Sequence, residues 1–157
     1  MIRIISPGKI KEKYLKDAID EYTKRISRFQ KIEIVEVKDY PLKDNMSLID
    51  EENVKTLEGK EILSKISDDY VIALSLKGEM IDSIELSKKI ESIFNMSKSK
   101  ITFVIGGSLG LSKEVLDRSD YKLSFSKMTF PHQLFRVILL EQIYRSFKII
   151  NHEVYHK

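Results

Sequence analysis

Two runs, residues 70–74 (YVIAL), which is continuously apolar, and residues 101–105 (ITFVI), which is apolar except for Thr102, constrain the fold more than any other feature of the sequence. Neither run alternates polar and apolar residues, as a strand with one solvent-exposed face would. Runs of this kind are typical of parallel strands that are covered by helices on both faces. The sequence therefore predicts an α/β fold with three layers and a mostly parallel sheet.

Strand and helix patterns alternate along the whole chain. Residues Pro7-Gly8 and Lys77-Gly78 are turn signals, and Ser47-Asp50 and Asp82-Glu85 have the spacing of helix capping boxes. Ligands in such sheets bind at the carboxyl ends of the strands, so the segments after residues 74, 105 and 124 are expected to meet at one site. The patterns predict strands at 1–6, 32–37, 70–74, 101–105 and 121–124, and helices at 11–29, 47–66, 82–95, 112–118 and 132–149.

Composition excludes several classes of protein. A length of 157 residues predicts one domain, 1–157. The absence of cysteine excludes disulfides, thiolate metal sites and cysteine nucleophiles. No apolar stretch approaches the roughly 20 residues of a membrane span, and residues 1–9 lack the apolar core of a signal peptide, so a cytoplasmic protein with no membrane partner is expected.

Charge is unevenly distributed although the net charge is only +3. Residues 1–31 contain nine Lys and Arg against four Asp and Glu. A basic surface of this kind fits an anionic partner such as RNA, and it equally fits a solvated helix face.

The glycine-rich segment 106–110 follows a strand and precedes a helix, as a nucleotide-binding loop would. Its spacing is G-G-x-x-G, and no Gly-Lys-Ser/Thr follows it, so a dinucleotide or P-loop site is not expected. Two interpretations of this segment stay open: a tight turn, or a close approach of the backbone to a ligand without phosphates. His152 and His156 are four residues apart but have no convincing third ligand, so no metal site is expected.

The segment from Phe125 to Phe130 is an irregular loop with apolar side chains, followed by a helix that starts near Pro131. Apolar loop residues either pack inward or line an apolar pocket. The helix is apolar around most of its surface, which predicts burial or a subunit interface. Glu141 and Arg145 are expected to form a surface ion pair on this helix.

Four stretches of the chain together resemble the RlmH family, SPOUT-class methyltransferases of bacterial large-subunit ribosomal RNA. They are SPGKIKEKYLKDAIDEYTKRI (6–26), VIGGSLGLS (104–112), LSFSKMTFPHQLFRVILLEQIYR (123–145) and the terminal YHK. The resemblance implies an α/β domain with a C-terminal trefoil knot and a homodimer. It also implies transfer of a methyl group from S-adenosylmethionine to N3 of a pseudouridine in a 23S rRNA stem-loop, on the assembled ribosome.

The resemblance also implies which residues contact the cofactor. This chain ends in Lys157 where some relatives have arginine, which keeps the charge but loses the planar guanidinium. By position, the cofactor contacts are Leu74, Gly106, Phe125, Ser126, Lys127, Met128, Thr129 and Phe130.

The chemistry of the residues agrees with this assignment. A sulfonium donor needs no metal, and a chain without cysteine favours a nitrogen or oxygen acceptor over a pyrimidine C5. The catalytic candidates are His132, Arg136, Tyr155 and His156. Arg136 cannot act as a base but can stabilise negative charge, His156 could act as a base, and Tyr155 could stack on a nucleobase or donate a hydrogen bond.

Contacts with RNA phosphates are expected from Lys9, Lys11, Lys13, Lys24, Arg25, Arg28 and the basic tail. The RNA-binding surface of one such domain is small. It would be larger in a dimer in which one subunit supplies the cofactor and the other binds the RNA. Two alternatives stay open. The chain could be a ribosome-assembly factor that keeps the fold without turnover, or a SPOUT methyltransferase that acts on tRNA.

Overall fold

The computed structural model describes residues 1–157 and contains one five-stranded sheet. The strands are β1 (Ile2–Pro7), β2 (Ile32–Val37), β3 (Tyr70–Met80), β4 (Ile101–Val104) and β5 (Tyr121–Ser124). The helices are α1 (Lys13–Ser27), α2 (Leu48–Leu63), α3 (Ser83–Asn95), α4 (Lys113–Arg118) and α5 (His132–Ile150). The strand order is β2-β1-β4-β3-β5, and every neighbouring pair is parallel.

Helices cover both faces of the sheet. Helix α5 packs against α1 and α3 on one face, and α2 packs against α4 on the other. Successive side chains of β1 point to opposite faces, so Ile4 belongs to the first core and Ile5 to the second. The predicted three-layer α/β architecture is confirmed, and burial on both faces explains the continuous apolar run at the start of β3.

The largest correction concerns β3, which continues past the predicted end at residue 74 to Met80. Its pairing with β5 shifts register, so that Leu74 and Glu79 both align with Leu123. Lys77-Gly78 therefore lies in a bulge inside the strand, and the predicted turn at this pair is wrong. A Cβ on Gly78 would lie 2.6 Å from the carbonyl carbon of Leu123, so glycine allows β3 to approach β5 here.

Local capping fixes the starts of two helices as the sequence predicts. The Ser47 hydroxyl accepts a hydrogen bond from the Asp50 amide at 3.1 Å. Asp82 and Glu85 form a reciprocal capping box at the start of α3. Helix α2 ends at Leu63, three residues before the predicted end. None of the helices is both long enough and apolar enough to span a membrane.

Candidate functional site

The carboxyl-end edge of the sheet carries a cleft of about 480 Å³. Three segments line it: the start of the β3 bulge (74–77), the glycine loop after β4 (105–111), and the loop between β5 and α5 (123–130). Eleven of its 22 lining residues are hydrophobic. The prediction that these three segments meet is confirmed, and the volume suits a ligand of ordinary cofactor size.

Most of the residues expected to contact a cofactor do line this cleft. Lys127 is the exception, because it is absent from the lining. Two side chains that no motif marked, Lys55 of α2 and Leu76 of the β3 bulge, also line the cleft. The expected residues on the lining are Leu74, Gly106, Phe125, Ser126, Met128, Thr129 and Phe130.

The loop 125–130 is held in place by Phe135 of α5. The Phe135 ring packs edge-to-face on Phe125 with 4.9 Å between ring centroids, and stacks on Phe130 at 5.9 Å. The Ser126 hydroxyl accepts a hydrogen bond from the Met128 amide at 3.0 Å. Met128 itself is 73% exposed. The loop is therefore organised on one side and leaves an apolar side chain free at the cleft.

The glycine loop folds back tightly on itself. The Gly110 amide donates to the Gly107 carbonyl at 3.0 Å, and Gly110 has a φ of +85°. A Cβ on Gly106 would lie 2.7 Å from the carbonyl carbon of Gly110. Backbone atoms cannot rotate away as a side chain can, so the turn requires glycine at position 106.

A buried carboxyl group lies behind the glycine loop. Glu58 of α2 is 8% exposed, and a Cβ on Gly107 would lie 2.7 Å from its Oε2. Burial raises the pKa of Glu58, and the negative charge of Asp39 raises it further. The sequence contains a signal for this residue, since Val54, Glu58 and Ile62 are spaced four apart on the buried face of α2.

His132 and Arg136 do not share one site, although their spacing places them on one helix face. His132 lines the cleft, where burial and then the Arg136 charge lower its pKa below the usual 6.5, against a smaller opposing effect of Asp39. The imidazole is therefore neutral at pH 7 and can accept a proton.

The Arg136 side chain is 1% exposed and does not line the cleft. Its Nη2 donates to the carbonyl oxygens of Pro7 and Gly8, both at 2.7 Å, and its Nη1 donates to Glu36 at 3.3 Å. These contacts tie α5 to the end of β1. Arg136, a catalytic candidate by sequence, thus does not line the cleft.

The C-terminal tail packs on α5 at a second location. The Tyr155 hydroxyl donates to Glu141 at 3.2 Å, and Arg145 Nη1 lies 3.1 Å from His156 Nδ1. The expected ion pair between Glu141 and Arg145 is present, with side chains 20% and 24% exposed. The same two residues also hold the tail.

The cleft and the tail are separated along α5. His132 is at the start of the helix and Arg145 is thirteen positions later. At 1.5 Å of rise per residue, this spacing corresponds to about 20 Å. Within one chain, the tail residues therefore lie far from the His132 end of the cleft.

The six basic residues expected to contact RNA are all exposed. Three of them pair with carboxylates: Lys13 with Asp17, Arg25 with Glu21, and Arg28 with Glu153. The other three, Lys9, Lys11 and Lys24, form no salt bridge. No group of three or more His, Cys, Asp or Glu side chains is placed to hold a metal ion.

Comparison with known proteins assigns this chain to a class. Residues 1–156 match the family model described as predicted SPOUT methyltransferase. Two solved structures have the same fold. A probable methylase family protein from Haemophilus influenzae Rd KW20 matches with a TM-score of 0.55 and 16% identity, over 99% of this chain and 70% of that one. The tRNA (m1G37) methyltransferase from Aquifex aeolicus matches with a TM-score of 0.54 and 11% identity, over 92% and 69%.

Curated relatives are much more similar in sequence. The ribosomal RNA large subunit methyltransferase H 1 of Clostridium perfringens (strain SM101 / Type A) is 62% identical over 157 residues, covering 99% of both chains. The methyltransferase H of Clostridium kluyveri (strain ATCC 8527) is 55% identical with the same coverage. The chain thus belongs to the SPOUT methyltransferases and, within them, to the RlmH family.

Proposed function

We propose that residues 1–157 form a single SPOUT methyltransferase domain that transfers a methyl group from S-adenosylmethionine to N3 of a pseudouridine in a 23S rRNA stem-loop. The substrate is the assembled ribosome, and the enzyme is a cytoplasmic homodimer. The observation that carries the proposal is the half-apolar cleft at the carboxyl edge of the sheet, in a chain 62% identical to a methyltransferase of large-subunit ribosomal RNA.

The residues of the cleft fit S-adenosylmethionine. The donor has an adenine ring and no phosphate, and the cleft combines apolar side chains with the close backbone of the glycine loop instead of a phosphate-binding loop. Leu74, Phe125, Met128 and Phe130 would enclose its apolar parts, and backbone groups near Gly106 would read the adenine edge. When bound, the donor supplies a methyl group already activated on a positively charged sulfur.

The acceptor nitrogen must lose its proton as the new N–C bond forms. His132 supports this role, because it lines the cleft and its lowered pKa keeps the imidazole neutral. With S-adenosylmethionine bound as the methyl donor, the His132 imidazole would accept the proton that N3 loses. The carbonyl oxygens of the ring carry the negative charge that builds up during this transfer.

A homodimer would place the tail of one chain next to the cleft of the other. Tyr155 and His156 are held on α5 about 20 Å from His132, yet both regions are expected to act on one base. Helix α5 leaves Leu134 40% exposed beside the cleft residue Phe135. A second copy packed there would cover this apolar surface and bring its tail to the cleft. The C-terminal trefoil knot implied by the family stays a prediction.

Labelled methyl transfer tests the proposal directly. Purified protein is incubated with S-adenosylmethionine and with intact ribosomes, free 23S rRNA or bulk tRNA, and the modified nucleotide is mapped. We expect label on a single pseudouridine of 23S rRNA in ribosomes. Label on tRNA would assign the chain to the alternative substrate class, and ribosome binding without any transfer would identify an assembly factor.

A further inference from the structure

The contact between Arg145 and His156 determines which ring nitrogen of His156 carries the proton. Arg145 Nη1 lies 3.1 Å from His156 Nδ1. A guanidinium has only donors and keeps its proton in proteins. The hydrogen bonds that Arg145 donates to Glu141 raise the pKa of Arg145 further. Nδ1 must therefore be the acceptor, and the proton of the neutral ring lies on Nε2.

The surrounding contacts hold Arg145 in this orientation. Its Nε and Nη2 donate to the same oxygen of Glu141, at 3.0 and 2.5 Å. Its Cζ lies 4.7 Å from the centroid of the Tyr155 ring, which packs edge-to-face on Tyr144 at 5.0 Å. One edge of the guanidinium is fixed by Glu141 and one face is covered by Tyr155, so Nη1 is directed at His156.

Tyr155 also keeps its proton. Burial raises the pKa of Tyr155, and the Glu141 charge raises it further. Its hydroxyl donates to Glu141 at 3.2 Å. Neither tail side chain is thus arranged to take a proton from a substrate, whereas the exposed His156 carries its N–H on Nε2, the nitrogen that Arg145 does not contact.

We infer that Arg145 is a positioning residue that fixes His156 as an Nε2–H donor, and that His156 donates a hydrogen bond to a carbonyl oxygen of the target base. This inference rests on the proposed function for the identity of that base. A donor at this oxygen stabilises the negative charge left when N3 loses its proton. The roles then divide between the two chains of the proposed homodimer: His132 of one chain accepts the proton, and His156 of the other stabilises the charge.

Two substitutions distinguish a donor from a base. In His156→Gln the side-chain amide can place an N–H near the position of Nε2, so methylation of ribosomes is expected to stay within about tenfold of wild type. His156→Ala has no donor and is expected to lose about 100-fold in kcat. A general base would be lost in both variants, so equal loss in His156→Gln and His156→Ala would overturn the inference. His152→Asn, in the same tail at a φ of +54°, is the matched control and is expected to behave as wild type.

Nitrogen-15 NMR of the histidine rings tests the tautomer without any activity measurement. The Nε2–H form of His156 is expected in the free wild-type protein, with a mixture of tautomers in Arg145→Met. A proton on Nδ1 in the wild-type protein would overturn the inference. Failure of the proposed function has a different signature, because wild-type protein would then leave ribosomes unlabelled while the ring signals still report the tautomer.

Discussion

Gly106→Ala tests whether the glycine loop shapes the cofactor site. The added Cβ would lie 2.7 Å from the carbonyl carbon and 2.9 Å from the carbonyl oxygen of Gly110. Ordinary contact begins near 3.4 Å, so the backbone of residues 106–110 must move by about 0.7 Å. Overpacking of this kind costs about 1–3 kcal/mol. Because the loop lines the cleft, we expect this cost to appear as weaker binding of S-adenosylmethionine.

The expected loss is about 5-fold to 150-fold in Kd, since 1.4 kcal/mol corresponds to a factor of ten. Isothermal titration calorimetry measures it, and thermal unfolding of the free protein checks that the fold is retained. Gly8→Asn is the matched control. Gly8 also has a positive φ, which asparagine tolerates, and it does not line the cleft; a Cβ there meets only the side chain of Asp39, so the Kd is expected to change by less than about threefold. A folded Gly106→Ala variant with wild-type affinity would refute the reasoning.

Three further predictions concern groups around the cleft. Because the pKa of His132 is lowered, the acid limb of the kcat–pH profile is expected below pH 6.5. This limb should be absent in His132→Gln. A limb that persists in the variant would show that another residue accepts the proton. Arg136→Met leaves the Pro7 and Gly8 carbonyls unpaired, which should lower the free energy of unfolding in urea by about 2–6 kcal/mol, and a loss below about 1 kcal/mol would contradict the anchoring role. Glu58→Gln should raise the melting temperature at about pH 8 and not at about pH 4. The pKa of Glu58 is raised in the folded state, so the folded wild-type protein loses stability as the pH rises through that pKa and the carboxyl group becomes charged. Exposed Glu91→Gln is its control, and an equal effect of the two variants would count against burial as the cause.

The sheet was predictable because its signals are local. Continuous apolar runs indicate burial on both faces, and parallel strands place their carboxyl ends at one edge. Those two facts are enough to bring residues 74, 106 and 125 together. The length of β3 was not predictable, because its second half depends on pairing with Leu123, more than forty residues away in sequence. A Lys-Gly pair signals irregular backbone, but only the partner strand decides between a turn and a bulge.

The side chains of the site were harder to predict than the backbone. Helical spacing places His132 and Arg136 on one face, but the long Arg136 side chain reaches the end of β1 instead of the cleft. The Glu141–Arg145 spacing predicts an ion pair, and only the return of the tail after His152 makes that pair part of a site. Glu58 stands within an apolar helical stripe, which indicates burial but not contact with the glycine loop.

Mixing two inactive variants tests most directly whether the cleft of one chain works with the tail of another. Gly106→Arg fills the cleft and keeps the tail, whereas His156→Ala keeps the cleft and removes the donor. Refolded together in equal amounts, they should recover about one quarter of wild-type ribosome methylation, because random pairing makes half of the dimers mixed and each mixed dimer has one complete site of two. A mixture no more active than the sum of its separate components would contradict the account.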